Sequence, residues 1–133
     1  MADRAKPNLG ARLAIGGIAG IVATLALTST ARRLQGKAPA RADGLLTLLA
    51  PFAYGAAAGA LLAAASPRPG RLIGALAGGG LWLGGEAGLL PRVSIGPARE
   101  RSAGRSIALL AGHLAWGWSA AEAMRQIGDV AGD

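Results

Sequence analysis

The chain of 133 residues is 52% hydrophobic and 16% charged, more apolar than an ordinary water-soluble domain, and its length fits one domain. Its formal charge of +7 does not point to nucleic acid: only 4% of the residues are aromatic and the basic side chains flank apolar runs, where anionic lipid headgroups fit them better. The absence of cysteine excludes disulfides, thiolate metal sites and a cysteine nucleophile.

Arginine and lysine lie between long uncharged stretches, as loops alternate with spans in a polytopic membrane protein. A water-soluble amphipathic helix needs polar positions every third or fourth residue. The 22 glycines sit mainly inside the apolar runs, where they act as packing surface and not as flexible linker.

After a polar lead-in with Asp3, Arg4, Lys6 and Pro7, the first span is expected over residues 11–31. Leu13 to Ala31 carries no charge and, as a helix, extends about 28 Å, close to the thickness of a bilayer's hydrocarbon core. The basic start is followed by a run too long for the apolar part of a signal peptide, so this span is expected to be retained. Within it Gly16 and Gly20 form a small-xxx-small pair, with Thr24 one turn on, so that a second helix can approach closely.

A basic loop containing Arg32, Arg33, Lys37 and Arg41 leads to a second span over 44–66. Pro51 lies inside it and is expected to kink it by removing a backbone donor. Gly55 and Gly59 repeat the small-residue spacing. The turn Ser66-Pro67-Arg68-Pro69-Gly70 is so short that spans two and three are expected to pack as antiparallel neighbours.

The third span, 71–90, carries Gly74 and Gly78 near one face and the pair Trp82 and Glu86, four apart, on another. Pro91 ends it, and a loop with Arg92, Arg99, Glu100 and Arg101 leads to the fourth span, 105–127. There His113 is followed by Trp116 and Trp118, while Glu122 is expected to pair with Arg125 at the interface. Six basic residues at one end of the four spans against eight at the other leave the orientation open.

Glu86 and His113 are the ionisable residues within the apolar lengths, and such residues are costly in lipid and mark functional sites. Counted from a shared membrane edge, Glu86 lies about 7 Å deep and His113 about 12 Å, an offset that a glutamate side chain can bridge. The expected pair would relieve the desolvation of both groups. It serves either as a buried polar latch or as part of a proton or small-solute path. His113 is alternatively a cofactor-binding residue holding the metal of a haem or chlorin pigment from one side. Otherwise no cofactor is expected. Zinc-protease, phosphate-loop and nucleophile-elbow motifs are missing, so the chain is not expected to be an enzyme.

Four segments together resemble the YagU-like family of small bacterial inner-membrane proteins. They are Gly16 to Thr24, Tyr54-Gly55, Leu81-Trp82 through Leu90-Pro91, and His113-Leu114-Ala115-Trp116-Gly117 with Glu122. The resemblance implies a four-helix inner-membrane protein of uncharacterised biochemistry. The expectation is therefore all-α: a single domain over 1–133, an integral membrane bundle of four transmembrane helices with short loops, multi-pass in a bacterial inner membrane. Its expected role is a non-catalytic accessory, scaffold or assembly subunit. Its expected partners are the lipid bilayer and either other membrane subunits or further copies of itself, with no nucleic acid.

Overall fold

In the computed structural model, residues 8–35, 45–86 and 103–131 are described. They form four helices and, among the described residues, no strand: α1 (Leu9–Gln35), α2 (Leu45–Ala65), α3 (Arg71–Glu86) and α4 (Ala103–Ala131). The Asn8 side chain caps α1 by accepting from the Ala11 N–H at 2.8 Å, satisfying one of the donors that a helix start leaves free. α2 continues through Pro51. Pro67 and Pro69 lie in the bend between α2 and α3, and Pro69 is fully buried.

α1 packs on α2, α3 on α4, and α1 on α4. α2 and α3 are not one of the closely packed pairs, which corrects the expectation drawn from their short link. The reason is visible in an internal repeat. Positions 58 apart correspond at the helix seams of the two hairpins α1–α2 and α3–α4. A Cβ built at Gly16 would overlap the Gly59 carbonyl and the Ala63 side chain; one built at Gly74 would overlap the Gly117 carbonyl and the Ala121 side chain. Gly20 meets the Gly55 carbonyl as Gly78 meets that of His113, and Gly59 meets Gly16 as Gly117 meets Gly74. Each hairpin thus closes its own backbone-to-backbone seam, an approach open only to residues without a Cβ. Between hairpins, α1 and α4 carry Ala23 and Ala120 in the core. Leu81 on α3 and Leu62 on α2 occupy the equivalent positions, two larger side chains in place of the alanine pair, and they pack in different clusters of the core.

The core consists mainly of small residues. Ala19, Ala23, Ala58, Ala63, Ala120 and Ala121 are buried, joined by Leu62, Trp116 and Met124. The large aliphatic side chains mostly face outward: Leu25 is 56% exposed, Leu61 68%, Leu72 68% and Ile107 67%. This distribution reverses that of a water-soluble bundle, whose large apolar residues fill the interior.

Candidate functional site

The six glycines expected to pack helices, Gly16, Gly20, Gly55, Gly59, Gly74 and Gly78, all lie at the hairpin seams just described, and Gly117 is a seventh that the sequence reading did not single out. The repeat would have revealed it, since Gly117 stands 58 positions after Gly59. The close seams place polar side chains between helices.

The most buried of these is Thr24, on α1. Its hydroxyl donates to the Gly20 carbonyl at 2.8 Å and accepts the Trp116 indole Nε1–H at 3.1 Å, so one oxygen satisfies both α1 and α4. In the second hairpin, Trp82 stands at the position equivalent to Thr24, and Ala58 of the first stands at that of Trp116. The hydroxyl has no counterpart there, and the Trp82 Nε1–H is buried with no hydrogen-bond partner among the described residues.

His113 is half-buried on α4, and its Nδ1 lies 2.8 Å from the Leu109 carbonyl one turn earlier. A carbonyl only accepts, so Nδ1 carries the hydrogen and, in the neutral ring, Nε2 keeps its lone pair. Glu86 is the last residue of α3, and its side chain lies outside the described residues, as does any pairing with His113. The backbone register bears on their levels. Gly74 lies against Gly117 and Gly78 against His113, four residues for four. Continued for two turns, this sets position 86 level with 105, about 12 Å along α4 from His113 and farther than the edge-counted offset. Among the described residues no three His, Cys, Asp or Glu side chains gather as a metal site.

Arginines at the start of α1 and α3 fasten each hairpin at the same end. Arg12 donates through Nη2 to the Ala63 and Ala64 carbonyls at 2.8 Å each, and through Nε to Ala63 at 3.3 Å, capping the C-terminus of α2. Arg71 donates through Nε to Glu122 Oε2 at 2.8 Å, and Glu122 stands 58 positions after Ala64. The expected Glu122–Arg125 pair is present at 3.5 Å, and Gln126 holds the other carboxylate oxygen at 3.1 Å. The Arg71 guanidinium also lies 5.7 Å from the centre of the Trp118 ring. Sequence reading missed Arg71 as the partner of Glu122 because the contact joins two helices, whereas Arg125 lies three residues away on the same one.

Leu9–Thr30 is the one helix among the described residues that is long and apolar enough to cross a membrane; Leu49–Ala65 is apolar but shorter. That property alone is shared by the core helix of a soluble protein and by a signal sequence. No family model, curated protein or solved structure matches the chain.

Proposed function

We propose that the protein is a small integral membrane protein whose four helices cross a bilayer as two glycine-sealed hairpins. The observation that carries this reading is the inverted distribution of size: alanine and glycine inside, leucine and isoleucine outside on all four helices. Exposing so much apolar surface to water is costly, whereas exposing it to acyl chains costs little. Only 28% of the apolar window of α1 is buried within the fold, unlike the core helix of a soluble protein. The packing of α1 against both α2 and α4 supports a structural role for it in the mature bundle.

The role we propose is non-catalytic: an accessory, scaffold or assembly subunit of a larger membrane complex, or a homo-oligomer, in a bacterial inner membrane. The location is inferred from the sequence segments that resemble the YagU-like family, Gly16 to Thr24 and His113 to Gly117 among them. The small interior supports the role, because glycine and alanine seams leave little room for substrate. Purification from native membranes in mild detergent, with identification of the co-purifying chains, tests it; a lone monomer contradicts it.

A second reading rests on His113. With Nδ1 donating to Leu109, Nε2 keeps the lone pair with which His113 would hold the metal of a haem or chlorin. An absorbance spectrum of the purified protein decides this reading, and a colourless preparation ends it.

A further inference from the structure

At the corner where α3 begins and α4 nears its end, two guanidiniums share the carboxylate of Glu122. Arg71 Nε and Arg125 Nη1 both converge on Glu122 Oε2, at 2.8 and 3.5 Å, while Gln126 donates to Oε1. Toward the described residues each guanidinium keeps N–H donors to spare, and both arginine side chains are 46% exposed. Arg68, in the turn before α3, adds a positive charge next to this corner in sequence, and Asp129, one turn beyond Arg125, adds a negative one. Just below, toward the middle of the bundle, the half-exposed Trp118 ring lies against Arg71, with exposed Leu114 one turn further in on α4.

Paired arginines above an amphipathic tryptophan, with an apolar leucine below it, match from the water inward the phosphate, glycerol and acyl layers of a phospholipid. Guanidinium forks suit phosphate oxygens because they present parallel donors to a planar or tetrahedral anion. The equivalent corner of the first hairpin differs. There Arg12 spends Nε and Nη2 on the Ala63 and Ala64 carbonyls, Ala64 replaces Glu122, and Pro67 stands where the second hairpin has Arg125.

We propose that Arg71 and Arg125, held by Glu122 above Trp118, form a binding site for the phosphate headgroup of an anionic phospholipid, and that the first hairpin has no such site. This rests on the membrane reading above. The test reconstitutes the full chain into vesicles of equal phosphatidylglycerol and phosphatidylcholine, confirms insertion by resistance to alkaline carbonate, then re-extracts it in mild detergent and quantifies retained lipid by mass spectrometry. The wild type is expected to retain phosphatidylglycerol over phosphatidylcholine. Arg125→Gln, which leaves the Arg71–Glu122 bond in place, is expected to lower that preference about fivefold, and Arg71→Gln with Arg125→Gln to abolish it. Arg12→Gln is expected to leave it unchanged. Equal retention of both lipids by inserted wild type overturns the proposal, as does an equal loss in Arg12→Gln, or displacement of the retained lipid by millimolar inorganic phosphate. Failure of the wild type to insert defeats the membrane reading instead.

Discussion

The indole of Trp116 on α4 donates to the hydroxyl of Thr24 on α1 across a buried 3.1 Å hydrogen bond, a direct side-chain tie between the two hairpins. Thr24 is simultaneously bonded to its own helix at Gly20, which orients the oxygen toward one position. Thr24→Val keeps the shape and removes the acceptor; Trp116→Phe removes the donor along with part of the ring. In a double-mutant cycle read by unfolding in mixed detergent, a coupling of about 0.6 to 1.7 kcal/mol is expected. Additive effects would show that the bond contributes nothing to hairpin association.

The glycines fall into two classes with opposite expected behaviour. Gly20→Ala and Gly78→Ala drive a methyl into a facing backbone carbonyl that cannot move without shifting a helix, and each is expected to destabilise by about 1 to 3 kcal/mol. Gly80 has open space where a Cβ would go, so Gly80→Ala is expected to stabilise by about 0.5 to 1 kcal/mol through helix propensity. Thermal unfolding of the three variants measures the contrast.

Much of the architecture was legible in the chain because glycine spacing carries it. Gly16 with Gly20, Gly55 with Gly59 and Gly74 with Gly78 mark faces of close approach without any knowledge of partners. Partner choice was less legible. The short Pro67–Pro69 link suggested that α2 and α3 pack together, but proximity in sequence does not decide a seam: Leu62 and Leu81 stand where the close α1–α4 contact has Ala120 and Ala23. Thr24 was noted only as a continuation of the glycine pattern, since nothing local says that an indole 92 positions away will find it. The 58-residue correspondence was readable in principle, and aligning Gly74, Gly78 and Gly117 on Gly16, Gly20 and Gly59 would have exposed it.

Arg12 tests the cap on α2. Its guanidinium satisfies two carbonyls at a helix end, so Arg12→Gln is expected to cost about 0.3 to 1 kcal/mol, and Arg12→Lys to recover only part because an ammonium lacks the fork. The second hairpin makes its fastening with a side chain. Glu122→Gln is therefore expected to loosen α3 from α4, read as faster amide exchange at the start of α3, while leaving the α1–α2 end unchanged.

The central claim is that the large apolar side chains face lipid, and the cysteine-free chain suits a direct measurement. Single cysteines placed at Leu25, Leu61, Leu72 and Ile107, all outward-facing, and at Arg68 in the turn are treated in permeabilised native membranes with a water-soluble maleimide. The account predicts rapid labelling at position 68, protection at 25, 61 and 107 until detergent is added, and an intermediate rate at 72 beside the helix start. Labelling at all five positions at the rate of position 68, before detergent, would contradict it.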